Sequence, residues 1–323
     1  MRAATPTANT GLLLAPALLA AAAFASCDPE ATSEPDADGE VQADVGGEAD
    51  ADADPEADVA ADADAADADS DADADADADA DAAPDLLPPL DGATAAALAT
   101  VSRLVVVVTP SWSDPGARLT LFARDDAGWV PVLGPWPAEV GRSGLTWGRG
   151  LTQPPPAATN VKAEGDGSAP AGIFRLGPVM GYEAEPPAGL LLPYRRSTAH
   201  TICVDDPASS HYNKLVETTE VARDWDSWEN MLRADDLYRL LAPIDHNGLL
   251  EGGTPVPGGG SCIFLHLWSG LGVPTIGCTA LDGGELLELL LALERLDDVL
   301  LVQLPRAEYD AAVVFWGLPA FPE

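Results

Sequence analysis

The chain has 323 residues and a formal net charge of −37, and Arg2 is the sole basic residue ahead of Arg103. Residues 28 to 85 hold 24 of the 53 acidic side chains, whereas from residue 92 onward 28 acids face 15 bases, a net of −13. The charge is therefore mostly the property of one segment, and without clustered Lys and Arg it argues against nucleic acid as a partner.

The first element is the apolar run GLLLAPALLAAAAFASC over residues 11–27, too short and alanine-rich for a comfortable membrane span. It reads as the hydrophobic region of an export signal. Its end, Phe24-Ala25-Ser26-Cys27, resembles a bacterial lipobox, although a phenylalanine stands where leucine is expected. Residues 1–27 are thus expected to be a signal peptide with Cys27 as the lipidated residue, giving an exported, periplasmic, membrane-anchored lipoprotein. The alternative is an ordinary cleaved signal in which Cys27 is incidental.

Residues 28–91 form a linker that from Asp28 to Ala83 comes close to pure Asp-Ala alternation, as in Asp71-Ala72-Asp73-Ala74-Asp75. Like charges recur at i and i+4, aspartate is a poor helix former, and no apolar face exists to bury. The segment is expected to be a disordered tether, spanning roughly 40 Å even as a neutral coil. Repeated Asp-x-Asp also suggests calcium loops, but no Gly and Glu stand at the offsets that an EF-hand loop needs.

The folded domain is expected over 92–323. Arg103 to Val108 is a β-branched run suited to a strand buried on both faces, with Arg118 to Arg124 as its alternating partner and Gly128 to Val132 following. Turn signals recur every eight to twelve residues through Pro187. Helices are expected at about Ser227 to Leu241 and at Gly284 to Leu296, the second capped by Asp282, with Val299 to Leu304 as a terminal strand. This is a mainly β domain with a few helices.

Chemistry concentrates in residues 260–281, where a strand carries His266 and a glycine- and proline-rich loop leads to Cys278. A histidine and a cysteine delivered to one place are the parts of a thiol nucleophile with its base. On a strand, His266 shares a face with Phe264 and Trp268, a partly dry setting that keeps imidazole neutral. The N–H groups around Gly277 and Cys278 are candidates for an oxyanion hole. On the local sequence alone, the pair also fits a buried strand histidine and an inert core cysteine.

Six stretches in order carry a resemblance. They are Val140-Gly141-Arg142-Ser143-Gly144 with Trp147-Gly148-Arg149-Gly150; Lys162 to Gly167 through Ala169 to Phe174; Cys203 to Pro207 with Tyr212-Asn213; Asp235 to Tyr238; Ile244 to Asn247; and Ile263 to His266 with Pro274 to Cys278. Together they resemble the L,D-transpeptidase catalytic domain, the YkuD-like family, in the branch without a second histidine before the cysteine. The resemblance covers about residues 101 to 305. Two departures stand out: the arginine usual near the nucleophile is absent from Thr275-Ile276-Gly277-Cys278-Thr279-Ala280, and the gap from histidine to cysteine is short.

The resemblance implies a β-sandwich catalytic domain in which the carbonyl of Leu267 orients His266 in place of a triad acid. It implies acyl transfer: Cys278 attacks an L,D peptide bond in a peptidoglycan tetrapeptide stem, D-alanine leaves, and a second stem's amine forms a cross-link. With water as acceptor the same pair makes an L,D-carboxypeptidase or wall-peptide hydrolase, and a catalytically silent peptidoglycan-binding relative is a further alternative. Asp205, Asp206 and Asn213 are candidates for holding the diamino acid's ammonium, and Asp245 and Asn247 for lining the groove. Turn and capping roles are an equal alternative for these. Arg142, Arg149 and Arg175 are candidates for the missing carboxylate contact. Cys203 and Cys262 are candidates to pair in an oxidising compartment. No metal and no cofactor is expected, since His200, His211 and His246 have no ligand spacing.

Overall fold

A computed structural model describes residues 87–322. The expected signal, Cys27 and almost all of the Asp-Ala segment lie outside the described residues. The packed chain starts ahead of the expected boundary at 91: Leu87 is buried, and the carbonyl of Pro88 accepts from Trp316 Nε1 at 3.3 Å. The apolar Leu86-Leu87-Pro88-Pro89-Leu90 run is what the Asp-Ala pattern gives way to.

The described chain is mainly β, with three α-helices and one large mixed sheet. Helix α1 (Gly92–Thr100), which the alanine-rich sequence did not announce, is capped by Asp91, whose Oδ1 accepts from Thr94 N at 2.7 Å. Strand β1 (Arg103–Thr109) is buried from Leu104 on, as its β-branched run predicts. It pairs in parallel with β14 (Val299–Pro305) and antiparallel with β2 (Gly116–Asp125). Strand β3 (Gly128–Glu139) returns from β2 through a tight turn. Asp125 Oδ1 accepts from the N–H groups of Ala127 and Gly128, and Gly128 takes a φ of 126° that a side chain would resist.

The strands that follow are β4 (Leu145–Trp147), β5 (Ala169–Phe174), β6 (Val179–Gly181), β7 (Tyr194–Arg196), β8 (Thr201–Val204), β9 (Lys214–Glu217) and β10 (Trp228–Asn230). After them come β11 (Leu240–Pro243), β12 (Phe264–Leu267) and β13 (Thr279–Leu281). The large sheet has the order β4-β5-β14-β1-β2-β3-β13-β12-β11-β6-β7, and a second sheet has the order β10-β8-β9.

Residues 227–241 do not form the expected helix. Trp228–Asn230 pairs with β8, Asp235 Oδ1 accepts from Leu237 N, and Asp236 sits at φ 57° before β11 begins. The apolar side chains that mimic a helical stripe, Met231, Tyr238 and Leu241, instead fill a small core shared with Cys203, Cys262, Phe264 and Cys278. Tertiary packing overrides the local pattern here.

Helix α2 (Gly283–Leu291) has the Asp282 cap, Oδ1 accepting from Gly284 N at 2.8 Å, and ends short of Leu296, where a single 3-10 turn follows. Strand β14 is not terminal, because α3 (Arg306–Phe315) follows and seats Tyr309 and Ala312 in the main core.

A buried polar strut ties the central strands to the strand that follows Cys278. Gln303 on β14 accepts from Thr279 Oγ1 at 2.7 Å and donates to the Pro170 carbonyl at 2.9 Å. Gln303→Leu should strand both partners without water and cost about 3 kcal/mol. The urea unfolding midpoint measures this, and an unchanged midpoint refutes it.

Candidate active site

Strands β12 and β13 run parallel with His266 opposite Ala280 and Leu265 opposite Thr279. Continuing that register one step back sets Cys278 beside Phe264. Paired positions in a parallel ladder point to the same face, so Cys278 and His266 share one face on a diagonal of roughly 8 Å between Cα atoms. Both line a cleft of about 380 Å³. The loop between them lines the cleft with Val273, Pro274 and Ile276, and Glu139 Oε1 anchors it by accepting from Gly272 N at 2.6 Å.

The imidazole is fixed by its backbone. Nδ1 lies 2.7 Å from the Leu267 carbonyl, which can only accept, so Nδ1 carries the proton and Nε2 is left as an acceptor in the neutral ring. Burial, seconded by the nearby Arg233 charge, drives its pKa down to about 4. Tyr238 packs edge-on against the ring at 5.1 Å and against Phe264 at 5.4 Å.

The thiol of Cys278 rests in its neutral form. Sγ donates to the Cys262 carbonyl at 3.6 Å and accepts from Phe264 N at 3.4 Å. Among the described residues no hydrogen bond joins it to His266. Burial, and then the charge of Glu229, push its pKa up to about 12; the Phe264 N–H and the Tyr238 hydroxyl work in the opposite direction. The Gly277 N–H is already spent on Thr275 Oγ1 at 3.1 Å. The Cys278 N–H has no partner among the described residues, which leaves it as the available oxyanion donor.

Cys203 and Cys262 form a disulfide with Cα atoms 5.9 Å apart. Strand β12 begins at Phe264, so Cys262 lies just ahead of it and outside the strand. It sits instead in a left-handed turn at φ 55°, with its N–H held by Asn213 Oδ1 at 2.9 Å. The bond therefore fixes the residue whose carbonyl accepts from the Cys278 thiol.

The remaining candidates separate in space. Asn213 is fully buried, and its amide donates to the carbonyls of His246 and Asn247. Asp206 caps turns, accepting from the N–H groups of Ala208 and Asp226. Asp205 raises the pKa of Glu229 through its charge, and its buried Oδ1 has no hydrogen-bond partner among the described residues. Arg149, Arg175, Asp245 and Asn247 line a different depression, and Arg142 donates its backbone N–H to the Thr275 carbonyl. The structure thus brings Cys278, His266 and Gly277 to one cleft and leaves the proposed groove residues outside it.

The cleft wall is built from residues that sequence reasoning passed over as chemistry. Tyr238 donates to Glu229 Oε2 at 2.8 Å. Glu164 accepts from Tyr212 and Ser261, and Lys162 is buried against Asp166. Lys162, Glu164 and Tyr238 fall inside the six quoted stretches, so the signal was present. Glu229 was hidden by the expected helix.

A second buried histidine shapes the pH response. His246 accepts from Arg149 N through Nδ1 and lies 3.0 Å from the Gly259 carbonyl through Nε2, and burial lowers its pKa to about 3. In the unfolded chain both histidines take up protons below about 6.5 while the folded chain refuses them. Stability should therefore fall as pH drops from about 6.5 toward 4, by several kcal/mol from the two rings. Glu229, raised to about 7 chiefly by burial, opposes this over part of the range because its folded carboxyl protonates first. Urea midpoints at pH 7.5 and 4.5 measure the net, and equal values refute the assignment.

No family model matches the chain, and no curated protein matches it. A solved structure, that of Bdellovibrio bacteriovorus Bd1075, is similar over 68% of this chain and 51% of its own length, at 12% identity and a TM-score of 0.30. The chain spans about half the length of that structure.

Proposed function

We propose that this chain is an exported cysteine acyltransferase of L,D-transpeptidase type, with the β-sandwich catalytic fold of that family, acting on peptidoglycan stem peptides. The observation that carries the reading is the oriented imidazole. With Nδ1–H held by Leu267, Nε2 is an acceptor on the same sheet face as the Cys278 thiol. A neutral thiol beside a neutral imidazole suits a mechanism in which the proton leaves during attack, not before it.

In that mechanism Sγ attacks the carbonyl joining the L-centre of a diamino acid to D-alanine. The Cys278 N–H stabilises the oxyanion, and the departing amine takes a proton as the thioester forms. An amine from a second stem then resolves the thioester into a cross-link. Lipidation at Cys27 and the acidic tether belong to the same proposal: they would hold the domain at a membrane while the cleft reaches the wall.

The test incubates the full chain with tetrapeptide-rich muropeptides and follows products by mass spectrometry. Cross-linked dimers support transfer. Tripeptides alone move the reading to hydrolysis by the same pair, and unchanged substrate defeats the enzyme reading.

A further inference from the structure

A second depression, of about 190 Å³, shares no lining residue with the cleft of Cys278 and His266. Two tryptophans line it. Trp112, in the turn after β1, packs edge-on against Trp147 of β4, with ring centroids 5.1 Å apart. Trp147 is buried, whereas Trp112 keeps part of its indole exposed. Glu308, on the first turn of α3, lines the depression as well and is only 6% exposed. It has no ion pair among the described residues. Its Oε1 accepts from Trp112 Nε1 at 2.8 Å, and its Oε2 has no hydrogen-bond partner among the described residues.

Burying a carboxylate costs free energy unless hydrogen bonds and positive charge compensate it. One indole N–H and the positive end of a short helix supply only part of that. The free oxygen therefore has room for a donor from outside. Asn160 also lines the depression, and its side-chain amide makes no hydrogen bond among the described residues. A planar apolar surface beside an open carboxylate oxygen and an open amide suits a sugar ring. The C–H face of such a ring stacks on the indole while its polar substituents reach the hydrogen-bonding groups. We propose that this depression binds an amino-sugar ring of the glycan strand that carries the stem peptide. Glu308 Oε2 accepts from a hydroxyl or acetamido N–H of that ring, and the Asn160 amide donates to the acetamido carbonyl. The inference deepens the acyltransferase reading and rests on it for the choice of sugar.

The backbone ties this depression to the catalytic cleft. Trp147 N donates to the Asn160 carbonyl at 2.8 Å, and Lys162 N donates to the Trp147 carbonyl at 2.9 Å. Asn160 lines the depression and Lys162 lines the cleft. Two residues of chain separate them, at most about 7 Å between Cα atoms. On the other side, the Trp112 carbonyl accepts from Leu145 N at 2.7 Å, and Arg142 N donates to Thr275 in the loop that leads to Cys278. A glycan seated on Trp112 thus lies close enough for its own stem peptide to enter the cleft.

Two measurements on the full chain test this. The first titrates it calorimetrically with the β-1,4-linked tetramer of N-acetylglucosamine, with maltotetraose as the comparison sugar. Wild type should bind the amino-sugar tetramer saturably and more tightly than maltotetraose. Glu308→Gln should weaken that binding about 10-fold, the worth of a hydrogen bond to a charged group, and Trp112→Ala should abolish it. Should Trp112→Ala not fold, Asn160→Ala replaces it, with the same weakening expected as for Glu308→Gln. No binding, equal affinity for maltotetraose, or variants that bind like wild type overturn the proposal. The second measurement compares turnover of a disaccharide-tetrapeptide with that of the free tetrapeptide. Glu308→Gln should raise KM about 10-fold for the sugar-bearing substrate at unchanged kcat, and leave the free tetrapeptide unaffected. A merely structural role would move both substrates together, and that result overturns the proposal. Sugar binding by a wild type that turns over neither substrate supports the subsite and defeats the acyltransferase reading. Turnover with equal KM for the two substrates overturns the subsite alone.

Discussion

Cys278→Ala is expected to reduce turnover of tetrapeptide muropeptides to background, a loss on the order of 10⁴-fold or more, while moving the unfolding midpoint little. The side chain removed is small and the neighbouring core is otherwise apolar, so the fold should tolerate it. The resting thiol should also react slowly. With its pKa near 12 it holds about a thousandfold less thiolate than an ordinary thiol at the same pH. Iodoacetamide labelling of Cys278, followed by intact mass, should climb steadily from pH 7 to 10. A plateau near pH 8 would show a freely formed thiolate and contradict the burial that dominates the site. Disappearance of product with Cys278→Ala but not with Thr275→Ala would assign the loss to the nucleophile. Thr275 holds the Cys278 carbonyl at 2.7 Å and is a positioning contact.

The second large effect concerns the disulfide. Cys203 and Cys262 are 59 residues apart, and opening that loop should cost about 4 kcal/mol on the loop-closure estimate. For a domain of this size the thermal midpoint of the Cys203→Ser/Cys262→Ser double variant should fall by roughly 10 °C. Turnover should fall further than stability alone explains. Without the bond, Asn213 alone holds Cys262 in its left-handed turn, and the carbonyl that receives the Cys278 thiol is free to drift. Calorimetry of the double variant, with turnover measured well below its midpoint, separates the two effects. A midpoint within a degree of wild type would mean that packing already closes the loop.

How much of this was legible in the sequence depends on the range of the contacts. The run Leu104 to Val108 announces a central strand because every residue along it has to be apolar when both faces are covered. Asp282 announces α2 because a cap is a local contact. Cys278 and His266 were readable as residue types in order, since a strand and a short loop connect them. Glu229 and Tyr238 were not. Their placement depends on β10 pairing with β8, a contact more than twenty residues away, and the intervening apolar spacing imitates a helix. For the candidate groove residues, the turn and capping alternative describes Asp206 and Asn213: they spend their polar atoms on backbone groups, several of them 20 to 34 residues away, a satisfaction that sequence cannot distinguish from exposure to a ligand.

The division of the cleft between two sheets also sets how such a protein can change. Cys278 and His266 sit on β13's approach and on β12, braced by the Gln303 strut and the central strands, so alterations there disturb the fold as well as the chemistry. Glu229 sits on a three-stranded sheet at the opposite wall. Under the proposed acyltransferase reading, lineages could therefore rebuild that smaller sheet, altering what the cleft admits, while inheriting Cys278 and His266 unchanged. Drift in specificity should accumulate on β8 to β10, and the conservative half of the site should stay where the large sheet holds it.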